Sequence, residues 1–236
     1  MTRSTSKRVA VIQSGYIPWR GFFSLIRSVD EYILFDDAQY TRRDWRNRNR
    51  IKGPHGSMWL SIPVATKGNF YAPINRMEVA DRDWGRKHFL TLVHSYARAP
   101  YFADYRDELE ELYGLRETRL TRINETFIRW ACTKLGIETP IRRSSELEVV
   151  GKQSERLLHY CLQTGASVYV SGPSAQGYLA VDRFLQHGIK VEFVTHRGYP
   201  PYQQVYPPYD PHVSILDLLF SVGAEAESFL GEVGGA

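Results

Sequence analysis

Two cysteines are all that the 236 residues contain, and neither Cys132 nor Cys161 stands in a metal-type spacing. That scarcity excludes a disulfide-stapled secreted scaffold and points to a reducing cytoplasm. No apolar run approaches the ~20 residues needed to span a bilayer, so membrane insertion is not expected. The opening Met1 to Arg8 is short and polar and lacks the apolar core of a secretory signal. There is no internal repeat, no convincing linker, no metal-ligand cluster and no Gly-x-Ser-x-Gly nucleophile elbow. The expectation is one α/β domain over 1–236, long enough to bury a substantial core, with no bound metal or cofactor.

Charge of one sign is also scarce, the formal net charge being only +4. Much of it falls in Arg42, Arg43, Arg46, Arg48, Arg50 and Lys52, interleaved with Tyr40 and Trp45. Such a tract suits nucleic acid, a phosphorylated small molecule or an acidic carrier protein. Dispersed acidic residues elsewhere argue against a dedicated nucleic-acid binder.

Hydrophobic patterning predicts strands over 8–13 and 31–36 around a helix at 20–29, then a hairpin of 48–52 with 57–63. Helices follow at 84–96, 102–113 and 118–135, the first capped by Asp81 to Asp83 and the last closed by Gly136. This region, about 84–136, reads as a helical insertion. From Ile141 strands and helices alternate: strand 142–147, helix 154–163, strand 168–170, helix 175–186, strand 190–195. A Pro- and Tyr-rich loop at 198–211 precedes a last helix with Ser214 and Asp217 at capping-box spacing. The tail after Leu230 reads as frayed. The fold class is a Rossmann-like three-layer sandwich with a mostly parallel sheet, a β-hairpin and a helical insertion.

Chemistry-bearing residues gather where the first two strands end, the usual place for a ligand in parallel α/β sheets. Gln13, Tyr16, Trp19 and Arg20 frame a helix start that offers backbone N–H groups to a phosphate or carboxylate; the bland alternative is that Trp19 is core and Arg20 snorkels. Asp36 and Asp37 offer a general base or an ammonium site, with strand alternation sending one to each face; the alternative is ion pairing with Arg43 or Arg48. Trp45, Asn47, Arg48 and Asn49 mix flat and forked hydrogen-bonding groups, with Arg48 the favoured substrate contact. His88 is a proton acceptor suited to neutral pH, although a helical His is more often a surface or capping residue. Ser145, Glu146 and Ser171 lie at strand-to-helix junctions suited to a ligand or an oxyanion. Cys161, mid-helix without an activating base, reads as buried and inert.

Ordered motifs carry a resemblance: Tyr-x-Pro-Trp-x-Gly-Phe-Phe (Tyr16 to Phe23), Asp-Asp-Ala-Gln-Tyr (Asp36 to Tyr40), Trp-x-Asn-Arg-Asn (Trp45 to Asn49), Lys87-His88, Ala99-Pro100-Tyr101-Phe102, Ser144 to Leu147, Ser171-Gly172-Pro173 and Ser214 to Asp217. Over nearly its full length the chain resembles the WbqC-like family. The resemblance implies a place in surface-polysaccharide or specialised-metabolite biosynthesis and transfer of an acyl or aminoacyl group to an amino sugar. Gln39, in the second of these motifs, and Arg43, in the basic tract, join the substrate-binding set. Where the family usually has Gln-Pro after the first strand, this chain has Gln13-Ser14-Gly15. A second likeness is to the His-x-Gly-His region of pantothenate synthetase and related adenylating enzymes, with Trp19 and Phe22 in the two histidine places. Neither side chain donates to phosphate as imidazole does.

The resulting expectation is an acyl- or aminoacyltransferase acting on a small-molecule amine acceptor. Its co-substrate would be a thioester on CoA or on an acyl- or peptidyl-carrier protein, with His88, Asp37 or Asp36 as base. The alternatives are an ATP-dependent ligase and a non-catalytic carrier-binding module.

Overall fold

The computed structural model describes residues 6–69 and 71–235. The polar leader weighed at the sequence level falls mostly on residues 1–5, outside those described. Strands β1 (Arg8–Ile12), β2 (Glu31–Leu34), β3 (Arg48–Gly53), β4 (Gly56–Ser61), β5 (Ile141–Arg143), β6 (Val168–Ser171), β7 (Lys190–His196) and β8 (Val233–Gly235) form two sheets. The larger has the order β5-β2-β1-β6-β7-β8, parallel except for β8, and the smaller is the β3–β4 hairpin. The fold is therefore α/β and Rossmann-like.

β1 is central because its residues suit burial on both faces: Val9, Ala10 and Val11 are all buried. Alternation sends Val9 and Val11 toward one core, with Leu157, Leu158, Tyr169 and Phe184. Ala10 faces the larger core, with Phe23, Ile26, Leu34 and Leu219. Helix α1 (Arg20–Arg27) carries the chain from β1 to β2. After β5, helix α5 (Gln153–Thr164) returns it to β6 on the far side of β1, and α6 (Val181–Gln186) leads on to β7. The direction of winding thus reverses between β1 and β6, which opens a crevice beyond Ile12 and Ser171.

Between β4 and β5 lie α2 (Trp84–Tyr96), α3 (Phe102–Gly114) and α4 (Leu120–Lys134). Their contact depends on Gly85, where a Cβ would stand 2.1 Å from the Tyr113 carbonyl oxygen. The last helix, α7 (Ile215–Val222), is buried along most of its length. Among the described residues no helix is long and apolar enough to cross a membrane.

Several elements differ from expectation. β2 stops at Leu34 because the chain turns at once, Asp36 N–H bonding back to the Leu34 carbonyl. The strand expected at 142–147 shortens to β5, since Ser144–Glu146 form a 3-10 turn. The helix expected at 175–186 divides into a 3-10 turn, Pro173–Gly177, and the short α6. Asp83 does not cap α2 with its side chain; Asp81 instead takes the Asp83 N–H at 2.9 Å and Lys87 at 2.6 Å. The tail after Leu230 is not frayed: β8 pairs antiparallel with β7, Val233 opposite His196. Ser214 does cap α7, accepting from Leu216 N–H at 3.2 Å, but Asp217 turns away from the cap to other partners.

Candidate active site

Two cavities meet at the end of β1. The larger, about 360 Å3, is walled by Gln13, Trp19, Phe22, Trp45, Asn49 and His212, with Arg46 and Arg50 completing its polar side. The smaller, about 190 Å3, opens toward β6 between Gln13, Phe35, Arg46, Ser171, Ser174 and Tyr178. Ile12, Gln13 and Arg46 belong to both. They stand at the winding reversal, where open α/β sheets place their ligands.

The walls are held from below by backbone bonds. Tyr16 N–H donates to the Trp45 carbonyl at 3.0 Å, clamping the loop after β1 to the loop before β3. Asn49 Nδ2 donates to the carbonyls of Tyr16 (3.1 Å) and Ile17 (2.9 Å), supporting Ile17 at a φ of 38°. Asn124, buried on α4, donates to the Arg46 carbonyl at 2.8 Å and to Ser14 Oγ at 3.2 Å. Ser14 and Gly15 thereby acquire a local purpose. The hydroxyl of Ser14 accepts from Asn124, and a Cβ at Gly15 would press within 3.3 Å of the Trp45 carbonyl oxygen.

Of the residues picked from sequence, Gln13, Trp19, Trp45 and Asn49 line the larger cavity and Gln13 and Ser171 the smaller. Others are placed elsewhere. Arg20 is not an open anion site: it donates to the Pro200 carbonyl at 2.7 Å and Tyr209 Oη at 2.8 Å, pinning the 198–211 loop. Arg48 stacks 4.2 Å above the Trp59 ring and donates to the Arg43 carbonyl. Arg43 and Asn47 face a separate, open basin of about 690 Å3 beside Tyr40 and Thr66. Gln39 bridges the backbone of Pro73.

The two carboxylates do not separate to opposite faces, because β2 has already ended. Asp36 and Asp37 converge on one hydroxyl, Ser144 Oγ, at 3.0 and 2.6 Å. Ser145 Oγ and N–H donate to Asp36 at 2.8 and 2.9 Å, while Asp37 is paired by Arg156 rather than by Arg43 or Arg48. Glu146 accepts from the Arg143 N–H and guanidinium. None of Asp36, Asp37, Ser145 or Glu146 lines either cavity.

His88 and Tyr16 also lie outside the cavity walls. Nδ1 of His88 is 2.9 Å from Tyr16 Oη, which is 2.8 Å from Tyr113 Oη, with Trp84 edge-on to the imidazole. Burial lowers the imidazole to about 4, the Ser61 backbone pulling weakly the other way. Cys132 and Cys161 are buried free thiols, both pushed up to about 12 by burial. Among the described residues no group of three or more His, Cys, Asp or Glu could hold a metal ion.

The sequence profile of the WbqC-like protein family matches residues 13–229, from the first cavity residue after β1 to Phe229. The chain belongs to the WbqC-like protein family. It is 44% identical over 225 residues to the uncharacterized protein Rv1507c of Mycobacterium tuberculosis, covering 95% of this chain and 97% of that one. No solved structure matches it.

The cavity wall of this WbqC-like protein also includes residues not picked out as site residues from the sequence: Phe22, Arg46, Arg50 and His212. Arg46 and Arg50 were visible only as members of a basic run, and nothing local says which arginine of that run turns inward. Arg50 pairs with Asp210, which also accepts from Ser57 at 2.6 Å. His212 sits just before α7, near the Trp19 ring (centroids 6.5 Å apart). His196 and Tyr199 also pack near Trp19, with ring centroids at 5.0 and 5.4 Å. Burial lowers the His196 imidazole.

The loop that delivers these rings is anchored internally. Asp217 on α7 accepts from Tyr202 Oη at 2.8 Å, Gln204 Nε2 at 2.9 Å and Tyr96 Oη at 2.9 Å. Burial raises its carboxyl in spite of those donors. Lys52, also buried, donates to the Pro208 carbonyl.

Proposed function

We propose that the protein is an acyl- or aminoacyltransferase that forms an amide on an amino sugar or related small amine, drawing the acyl group from a thioester. The observation that carries this reading is the paired cavity: an aromatic chamber and a polar one share a wall at Gln13 and Arg46. Two chambers with a common wall suit two substrates whose reacting atoms must meet, the arrangement that turns a bimolecular step into a nearly unimolecular one.

In this reading the acceptor nitrogen attacks the thioester carbonyl carbon, the C–S bond breaks, and the thiol departs. The proton lost by nitrogen passes to His212, the imidazole of the larger chamber, which hands it on to the departing sulfur so that the free thiol leaves. Gln13 and Ser171 supply hydrogen-bond donors to the oxygen on which charge develops. His88, Asp36 and Asp37 serve the scaffold instead, each already committed to internal partners. At the mouth Trp45 and Trp59, 47% and 45% exposed with ring centroids 5.3 Å apart, form a broad platform for a carrier or cofactor arm.

One observation favours a second reading. Trp19 and Phe22 both face the larger cavity from the start of α1, the two places that carry histidines in the adenylating enzymes. That placement keeps the layout of an ATP-dependent ligase, although neither ring donates to phosphate as imidazole does. Mass spectrometry on protein incubated with acyl-CoA and acyl-carrier thioesters, candidate amines and optional ATP separates them. N-acyl product without ATP is the expected result. Product only with ATP, accompanied by AMP or ADP, would establish the ligase, and no product with any donor would sink both.

A further inference from the structure

Arg46 is an unusual place to leave a charge. Its side chain is only 19% exposed, and Nε is buried with no hydrogen-bond partner. A guanidinium carries five donors in a planar fork, and burying one without an acceptor is costly. The nearest carboxylate is Asp44, 3.5 Å from one terminal nitrogen. Asp44 is already shared with Thr41 Oγ1 at 2.6 Å and the Trp45 N–H at 2.7 Å. The Tyr32 hydroxyl, within electrostatic reach of Arg46, is likewise buried without a partner. Burial lowers the guanidinium, and Asp44 only partly offsets that effect.

The cavity walls repeat the message. Arg46 and Arg50 contribute positive charge, and among the described wall residues of both chambers there is no Asp or Glu. Arg50 is neutralised by Asp210, which leaves Arg46 as the wall arginine with an uncommitted edge. The Asn124 bond to its carbonyl fixes the backbone, so the guanidinium cannot swing away with the loop.

We propose that the junction of the two chambers is a compact-oxyanion site, in which Arg46 binds a substrate carboxylate or phosphate. The inference rests on the transferase reading for the location of the site only, not for the reaction. It specifies the substrate class: one of the two reactants carries a carboxylate or phosphate close to its reacting group.

The test is calorimetric titration of the full chain with inorganic phosphate and, separately, with acetate at constant ionic strength, together with melting temperatures. Saturable binding of at least one probe is expected, phosphate or acetate identifying which oxyanion the site takes. Arg46→Gln should weaken that binding at least ten-fold, and Arg46→Lys, which keeps charge but loses the fork, should fall between. The control Arg106→Gln, on the exposed face of α3, should bind as the native protein does. Without ligand Arg46→Gln should melt no lower than the native chain, because it removes a largely buried charge that Asp44 only partly offsets. A purely structural arginine would destabilise when replaced. Should Arg46→Gln fail to fold, that alone would overturn the proposal. Absence of saturable binding by either probe, or native affinity in Arg46→Gln or in Arg46→Lys, would overturn it equally. Binding without N-acyl product would sink the transferase reading alone; product from Arg46→Gln at unchanged KM would sink this one alone.

Discussion

The Tyr16 hydroxyl lies 2.9 Å from Nδ1 of His88, beneath the loop that shapes the larger cavity. Protonating that imidazole places a charge among Tyr16, Trp84 and Tyr113. In the folded chain the ring is held down to about 4, against an ordinary 6.5. Between those values the unfolded chain binds the proton and the folded one does not, so stability rises with pH across the window and is lost as pH falls through it. The gap, at about 1.4 kcal/mol per pH unit, amounts to about 3 kcal/mol. Urea midpoints should therefore drop between pH 6.5 and 4, and His88→Gln should flatten that slope. An unchanged slope in the variant would assign the acid sensitivity to another group.

Asp217 accepts from three donors, on Tyr96, Tyr202 and Gln204. Asp217→Ala would leave the Tyr96 and Tyr202 hydroxyls without their acceptor, at about 1–3 kcal/mol each, while Gln204 keeps the Asp210 carbonyl. A total loss above about 3 kcal/mol is expected, along with faster proteolysis within 198–211. Cleavage as slow as in the native protein would mean that Arg20 and Lys52 hold the loop without Asp217.

Gly21 has no room for a side chain: a Cβ there would stand 2.3 Å from Cζ2 of Trp19. The indole folds back over this residue while forming the cavity wall, so Gly21→Ala must displace it. Overpacking of this kind costs about 1–3 kcal/mol. The tryptophan emission should shift, and anion or substrate affinity should fall with it. Native emission together with native affinity would show that the ring relocates freely.

His212 is exposed and contributes little to the core. His212→Ala should leave the melting temperature nearly unchanged while lowering kcat by about 10²- to 10⁴-fold, with a smaller change in KM. A variant with native kcat would remove His212 from the chemistry and leave the acceptor to lose its proton to solvent.

Legibility in the sequence followed the range of the interaction. Elements governed by short-range rules were readable: the β3–β4 hairpin closes through Gly53 and Gly56, and Ser214 caps α7. Gly136, Gly165 and Gly188 end their segments at positive φ, where a side chain would be strained. The site was readable in outline, since Gln13, Trp19, Trp45 and Asn49 follow strand or hairpin boundaries. Side-chain choice within it was not. Arg46 and Arg48 are two residues apart in one basic run, yet one enters the cavity and the other covers Trp59. His88 sits in a motif, but its surroundings come from Tyr16 and Tyr113, distant in the chain.

The alternation of apolar strands and amphipathic helices, with glycines at their ends, was enough by itself to determine a Rossmann-like sheet and the end of that sheet where polar residues collect. Periodicity is a property of neighbouring residues, and it survives in one dimension. Which of those polar residues is free to meet a ligand was decided only when the chain closed. Arg156, from α5, occupied Asp37; Tyr209, from the long loop, occupied Arg20; and Asn124, from α4, oriented Arg46 without satisfying its Nε. Each of those partners lies far away in sequence, and a hydrogen bond satisfied across that distance leaves no local pattern to read.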